Sequence, residues 1–346
     1  MVKFDVVVGN PPYQGEASDG NKNYSAPIYP DFMDSAYSVA DKAMLITPAR
    51  FLFNAGGTKK AWNRKMLDDP HFKVVHFEMD SSKVFDNTDI KGGVVITYRD
   101  VDNNEGSVDI FVPFDELSRI LSKVEGMSDF KPFSTIAYHS GSYKLSEQLV
   151  TDYPNDVEIQ KRGAGYGAET NVFDKLQSVF SKTEPKESDD YIRIYGRSKA
   201  DGRTYRWIRR GYLDAPENLE KWKVLLPKSN GSGAIGEVLS TPLVGQPLVG
   251  HTRTFMSFGS FDNENEAESC LKYIKSKFAR TMLGVLKITQ DNHPQTWAKV
   301  PLQDFTKDSD IDWTKSIAEI DQQLYEKYGL SEEEITFIET HVKQMD

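Results

Sequence analysis

The stretch Phe4-Asp5-Val6-Val7-Val8-Gly9-Asn10-Pro11-Pro12-Tyr13 constrains this chain more than any other. Its three successive valines form a β-branched apolar run, the pattern of a strand buried on both faces of a parallel sheet. Gly9 ends the run and places Asn10 at the strand's C-terminal edge, where open α/β sheets hold their ligands. Pro11 and Pro12 fix two φ angles and remove two backbone donors, so the loop is stiff and its carbonyls are left to accept from elsewhere. Asn10 brings one side-chain acceptor and two donors, and Tyr13 a flat ring. Such a loop suits a planar group with an exocyclic amine, which donates to the Asn10 oxygen and a prolyl carbonyl while the ring stacks on Tyr13. Charge builds on that nitrogen as it attacks an electrophile, so fixed acceptors stabilise the transition state more than the ground state.

The chain after Tyr13 continues the α/β pattern. Gln14 to Asn23 is a polar loop, and Tyr29–Val39 places Phe32, Ala36 and Val39 on one helical face. Strands are expected at Ala43–Thr47, Lys73–Phe77, Gly92–Tyr98 and Val108–Val112, with helices opening at Pro48 and covering Lys59–Leu67. Alternating strand and helix is the pattern of a doubly wound sheet. Phe114–Val124 carries Leu117, Ile120, Leu121 and Val124 along one helical face, and composition shifts at Glu125–Pro132.

Asn-Pro-Pro-Tyr after a hydrophobic strand resembles the catalytic motif of methyltransferases that modify adenine N6 in DNA, and its surroundings most resemble the Eco57I-like restriction-modification methylases. Met44-Leu45-Ile46-Thr47-Pro48-Ala49-Arg50-Phe51-Leu52 looks like that family's strand ending in Pro-Ala. Val84-Phe85 followed by Gly92-Gly93-Val94-Val95-Ile96 looks like the segment whose phenylalanine packs against the flipped adenine. The resemblance implies a catalytic set of Asn10, Pro11, Pro12, Tyr13 and Phe85, and S-adenosylmethionine as cofactor. It also implies double-stranded DNA as partner. A base must leave the duplex to be methylated on a ring-edge nitrogen, and aromatic walls compensate for its lost stacking. Family members carry a strand ending in an acidic residue and a Gly-rich cofactor loop upstream of the catalytic strand. This chain starts three residues before that strand, so a separate chain supplying the cofactor-binding half is an expected partner. An alternative places the cofactor loop downstream at Gly163-Ala164-Gly165-Tyr166-Gly167, between a strand at Val157–Gln160 and a helix at Asn171–Ser181.

A formal net charge of −10 argues against indiscriminate nucleic-acid binding, so any DNA surface must be local. One candidate stands out. Arg193–Leu213 holds Arg193, Arg197, Lys199, Arg203, Arg206, Arg209 and Arg210 against the single acid Asp201, interleaved with Tyr195, Tyr205, Trp207 and Tyr212. These seven basic residues are expected to bind DNA, some at phosphates and some bidentately at base edges. The competing reading is a solvated hairpin turning at Ala200-Asp201-Gly202. Further expectations are a flexible loop at Ser229–Gly233, a strand at Arg253–Phe258, a helix over Asn265–Leu286, and two final helices, the last opened by a capping box at Ser331–Glu334. Tyr191–Gly196 and Lys287–Leu302 resemble target-recognition regions of single-chain restriction-modification enzymes.

No apolar run approaches a membrane span, and a single cysteine, Cys270, fits a reducing cytoplasm. Six scattered histidines give no metal-ligand spacing, and no metal-dependent nuclease centre is legible. The expected fold is α/β: a partial Rossmann-like methyltransferase sheet over 1–125, an α+β target-recognition domain over 126–302 and a helical tail over 303–346. The expected function is adenine-N6 methylation of DNA. The alternatives are a DNA-recognition subunit with a vestigial methylase half and, more distantly, methylation of a protein amide.

Overall fold

Four strands within the first 115 residues pair in the order β1-β2-β4-β3: β1 (Phe4–Gly9), β2 (Ala40–Pro48), β3 (Phe72–Glu78) and β4 (Val94–Asp100). The computed structural model describes residues 4–15, 25–54, 57–86, 88, 90, 92–158, 166–186, 190–231 and 235–345, in two units, Met1–Asp115 and Glu116–Asp346. A crossover through helix α1 (Tyr29–Val39) makes β1 and β2 parallel, with Val7 beside Ala43 and Gly9 beside Leu45. β4 instead runs antiparallel to both β2 and β3, with Val94 level with Pro48 and with Glu78. The sheet is therefore mixed, and β1–β2 is its one parallel pair. One edge gathers the ends of β1, β2 and β3 and the start of β4.

Helix α1, helix α2 (Lys60–Asp68) and a 3₁₀ turn at Ala49–Phe53 supply the core against one face of this sheet. Phe51 meets the edges of Trp62 and Phe72 at centroid distances of 5.3 and 6.2 Å, within the range of favourable aromatic pairs. The buried stripe of α1 is Tyr29, Met33 and Ala36, and Phe32 points to solvent, correcting the face expected from sequence. A stripe at 29, 33 and 36 also fits helical spacing and takes Tyr29 and Met33 almost fully out of solvent.

β1 is also corrected. Its burial is one-sided: Val7 packs on the core, whereas Phe4, Val6 and Val8 are 55%, 50% and 71% exposed. The strand lies at the sheet's border with a neighbour only in β2, and its alternate residues face a side that no described element covers. Val108–Val112 is not a strand, because Asp109 sits at φ 50° and turns the chain, though Val108 and Phe111 still cover the core.

The second unit begins within α3 (Asp115–Glu125), where the sequence reading set the division after that helix. The apolar face of α3 is the expected one, with Leu117, Ile120, Leu121 and Val124 buried. Then come β5 (Ala137–Tyr138), β6 (Lys144–Leu145), α4 (Glu147–Asp152), α5 (Pro154–Glu158) and α6 (Val172–Lys175). The strands continue with β7 (Tyr191–Ser198), β8 (Gly202–Arg209), β9 (Leu213–Asp214), β10 (Trp222–Pro227), β11 (Leu243–Gly245), β12 (Val249–His251) and β13 (Phe255–Phe261). Helices α7 (Glu264–Lys275), α8 (Lys277–Leu283), α9 (Ile317–Lys327) and α10 (Glu332–His341) complete it. The sheets are ordered β11-β10-β13-β5, β12-β7-β8 and β6-β9.

Three expectations change here. The segment expected as a strand from Val157 begins inside a helix, α5, whose first residue is Pro154, a favoured helix opener. The helix expected over Asn171–Ser181 is one turn, after which Leu176, Val179 and Phe180 stay buried through successive turns. The helix expected over Asn265–Leu286 is two, because the Ser276 hydroxyl accepts the Ala279 N–H at 3.1 Å and caps α8 afresh.

The last forty residues are woven into this unit. Asp321 of α9 accepts the Lys277 and Phe278 N–H groups at 3.0 and 2.9 Å, and Glu334 of α10 pairs with Lys123 at 2.7 Å. Arg280, only 2% exposed, donates to the backbone carbonyls of Lys275, Gly236 and Lys343. Among the described residues no helix is long and apolar enough to cross a membrane.

Candidate active site and nucleic-acid interface

The loop Asn10–Tyr13 leaves β1 at the edge where the other strand ends gather. Its far leg is fastened: the Ile28 N–H donates to the Tyr13 carbonyl at 3.1 Å, and Gln14 bridges Pro27. Residues 16–24, which hold most of the polar loop read at Gln14 to Asn23, lie outside the described residues. Asn10 is exposed, and among the described residues none donates to its side chain or to the Pro11 carbonyl. Pro12 is exposed as well. Two sets of acceptors are thus held in place by prolines and a pinned exit, with their lone pairs free.

Tyr13 and Phe85 come together, their ring centroids 6.4 Å apart and their planes at 67°. Phe85 is half-buried on a turn after β3, where its N–H donates to the Ser81 carbonyl at 2.9 Å. The Tyr13 hydroxyl is buried without a hydrogen-bond partner, and burial pushes its pKa up to about 12, so the phenol stays neutral. Thr47, at the end of β2, also buries an unpartnered hydroxyl. The chemistry this edge offers is two amine acceptors, two aromatic surfaces and orphan hydroxyls. The carboxylate that ends β3 on this edge, Glu78, accepts the Asp80 N–H at 3.0 Å and lies 3.5 Å from the Lys83 ammonium.

Two further features of the edge were missed in the sequence. Gly92 and Gly93 have φ of 89° and 80°, and a Cβ at Gly92 would lie 2.6 Å from the Arg50 Cγ. The Ala49 N–H donates to the Gly93 carbonyl at 3.0 Å, tying the end of β2 to the start of β4. A Gly-Gly pair directly before a strand is the signal that such a close approach is needed.

In the second unit the basic stretch is a hairpin, with Tyr191 opposite Arg209, Arg193 opposite Trp207, Tyr195 opposite Tyr205 and Arg197 opposite Arg203. Odd-numbered residues share one face and even-numbered ones the other. Ile192, Ile194 and Ile208 bury the even face. The odd face therefore lines up Arg193, Arg197, Arg203 and Arg209 with Tyr191, Tyr195, Tyr205 and Trp207. Arg193 lies over the Tyr205 ring at 5.4 Å, Arg203 over Phe255 at 5.7 Å and Arg209 over Tyr191 at 5.8 Å. Stacking fixes the plane of each guanidinium, and each also donates once within the chain, Arg193 to the Gln246 side-chain oxygen at 2.9 Å, Arg203 to the Thr241 hydroxyl and Arg209 to the Tyr191 hydroxyl at 3.2 Å, so that its remaining N–H groups are the ones left to an outside acceptor. Arg197 and Arg203 stand directly opposite, a like-charge pair that disfavours the hairpin until an anion sits between them.

The other three basic residues are placed differently. Arg206 is 6% exposed on the even face, paired with Asp201 and lying over Phe173. Arg210 pairs with Glu220 at 3.2 Å and donates to the Leu213 carbonyl. Lys199 is exposed in the turn, its N–H held by Asp174. Thr241 and Leu248 have φ of 37° and 61°, uncommon for residues with a Cβ, and both touch this sheet. The Thr241 hydroxyl accepts from Arg203, and the Leu248 carbonyl accepts the Arg193 N–H at 3.1 Å.

The glycine stretch Gly163–Gly167 lies mostly outside the described residues; at its end, a Cβ on Gly167 would lie 2.5 Å from Glu169 and 3.2 Å from Arg253. Ser229–Gly233 is likewise described only through Gly231.

Residues 1–85 match the family of Eco57I restriction-modification methylases, and the likeness read from the sequence is borne out over them. An uncharacterized adenine-specific methylase of Mycoplasma pneumoniae (strain ATCC 29342 / M129 / Subtype 1) is 34% identical over 98 residues, covering 27% of this chain and 23% of that protein. The match thus spans under a quarter of that relative's length. The Type IIL restriction-modification enzyme MmeI, solved in complex with DNA, superimposes with a TM-score of 0.41 at 10% identity, covering 97% of this chain and 56% of that one. The type IIG restriction endonuclease BpuSI gives a TM-score of 0.32 at 12% identity, covering 91% and 48%. The chain spans about half the length of these two enzymes.

Proposed function

We propose that this chain carries the amine-holding and target-recognising portion of a site-specific DNA adenine-N6 methyltransferase of a restriction-modification system. The observation that carries the reading is the Asn10–Tyr13 loop, with free acceptors on Asn10 and Pro11 and a Tyr13–Phe85 ring pair beside them. An extruded adenine places its ring against Tyr13 and Phe85, and its exocyclic amine donates one N–H to the Asn10 side-chain oxygen and one to the Pro11 carbonyl. Both bonds strengthen as the nitrogen becomes positive during attack, so they act on the chemical step. Stacking compensates for part of the cost of extrusion.

S-adenosylmethionine, where bound, supplies the methyl group. The described residues hold no strand with an acidic end followed by a glycine loop, and Gly167 is packed against Glu169 and Arg253 rather than open to a ligand. These residues fit the acceptor side of the reaction and not the cofactor. A half that binds the cofactor has a place to join: β1 is paired on one side only, and Phe4, Val6 and Val8 offer an apolar face to a further strand and its covering helix. The reading also sets the chain in the cytoplasm, where its DNA substrate lies.

Recognition falls to the odd face of the β7–β8 hairpin, with Arg193, Arg197, Arg203 and Arg209 as DNA ligands and Lys199 at the turn; Arg206 and Arg210 hold the hairpin's own structure. The test is methyl transfer from labelled S-adenosylmethionine to DNA, with the cofactor-binding half present and the product nucleosides resolved by mass spectrometry. N6-methyladenine is expected, and Asn10→Ala should abolish it while DNA affinity stays within about twofold, as for a bond made in the transition state. Methylated cytosine or a methylated protein amide would replace the substrate assignment. Specific DNA binding without any transfer would make this a recognition subunit.

A further inference from the structure

We propose that Arg50 binds a phosphodiester of the nucleotide whose base lies at Tyr13 and Phe85; this rests on the adenine reading of that loop. Arg50 is the second residue of the 3₁₀ turn that follows β2, on the edge that also holds Asn10, Phe85 and the Gly92-Gly93 bend. Its side chain is routed, not loose. The stem crosses Gly92 so closely that a Cβ there would lie 2.6 Å from Cγ and 3.4 Å from Cδ. The backbone on either side is fixed, by the Ala49 N–H on the Gly93 carbonyl and by the Asn54 N–H on the Arg50 carbonyl, with Asn54 in the left-handed region at φ 56°.

The guanidinium at the end of that stem meets no carboxylate of the described residues. Among the described residues none gives it a hydrogen bond or an ion pair, and it is half-buried. The other two arginines of the first unit are paired: Arg64 with Asp68 and Asp109, and Arg99 with Asp69 at 2.7 Å. A half-buried, positioned and unpaired guanidinium is an anion site, since a planar donor fork gains most from a group that accepts two N–H bonds. The acceptors of Asn10 and Pro11 account for the amine and the rings account for the base. The negative charge that travels with a nucleotide is the part of the ligand left without a counterpart, and among the described residues Arg50 is a cation of this edge without an ion-pair partner.

The experiment is a double cycle on the full chain. Short adenine-containing oligonucleotides carry 2-aminopurine at the adenine, with the adjoining phosphodiester either natural or replaced by an uncharged methylphosphonate. Arg50→Gln should weaken binding of the natural strand about tenfold, the scale of one charge-assisted phosphate contact. The methylphosphonate should weaken the wild-type chain by a similar factor and leave Arg50→Gln unchanged. Arg50→Lys, which keeps the charge and loses the fork, should fall between, and it serves where the glutamine variant melts early. Equal methylphosphonate losses in wild type and Arg50→Gln would overturn the proposal. So would a variant that binds DNA normally and loses affinity only for S-adenosylmethionine, which would give Arg50 to the methyl donor's carboxylate. The 2-aminopurine signal separates this from failure of the underlying reading. A signal that Tyr13→Ala does not alter removes the base from this loop, whereas a Tyr13-dependent signal with no effect of Arg50 removes the phosphate contact alone.

Discussion

The hairpin makes a quantitative demand on salt dependence. Four arginines, 193, 197, 203 and 209, lie on its odd face, and two, 206 and 210, are consumed by Asp201 and Glu220. Each phosphate neutralised contributes about 0.9 to the slope of log affinity against log salt. Four contacts give a slope near 3.6, so a fourfold rise in salt should weaken binding about 150-fold through this face. Replacing Arg197 and Arg203 together by glutamine should leave a slope near 1.8 and a loss of about 12-fold over the same range. Arg206→Met should lower thermal stability and, at a temperature where the variant is folded, leave the slope alone. Fluorescence anisotropy with one labelled duplex, titrated at five salt concentrations, measures all three. An unchanged slope in the Arg197/Arg203 variant, or a shallower one in folded Arg206→Met, would refute the parity argument that sorts these residues.

Phe85→Ala should weaken the complex with an extruded base by about 1–3 kcal/mol, read from a fluorescent adenine analogue, because one of two stacking surfaces is lost. Phe133→Ala should cost about 3–5 kcal/mol in urea unfolding of the second unit, since its ring stacks on Phe258 at 4.9 Å and meets Trp297 and Tyr273 within 5.6 Å. Lys223 is buried with its Nζ on the carbonyls of Leu219, Gln246 and Val249, and burial pushes its pKa down to about 7 against a weaker opposing pull from Glu220. For a base whose folded pKa lies below its unfolded value, the unfolded state holds the extra proton between those values. Stability should therefore rise from pH 7 toward pH 9 by up to about 1.4 kcal/mol per unit. That rise should vanish in Lys223→Met, as urea midpoints across the range will show.

Local patterns were legible in the sequence where one element decides the outcome. The stripe of α3, the capping box that opens α10 and the strand before Asn10 follow from spacing and side-chain chemistry alone. The faces of β1 were not legible, because three valines specify a strand without saying how many neighbours it finds. Arg206 was grouped with its neighbours on composition, yet its parity was readable: it alternates with Trp207 and shares its side of the strand with Ile208. Arg50 and Gly92 are forty-two positions apart in the chain, and the Gly92-Gly93 pair signals a close approach without naming Arg50 as the side chain that makes it. Ser276 shows the converse, a local competitor that interrupts a long amphipathic pattern by offering a cap.

The anchoring of the final helices bears on how target specificity could be exchanged between related proteins. A cut at residue 302 separates the proposed recognition domain, 126–302, from the C-terminal helices. Yet Arg280 inside that domain closes on the Lys343 carbonyl, Asp321 caps α8 from outside it, and the Met345 sulfur accepts the Leu239 N–H. A graft ending at residue 302 would carry a buried cation with part of its cage missing and a helix start without its carboxylate. The smallest transplantable piece of the second unit therefore runs through Met345, and if the β7–β8 hairpin reads DNA as proposed, gene exchange that alters specificity in such chains is expected to move it and the C-terminal helices as one block.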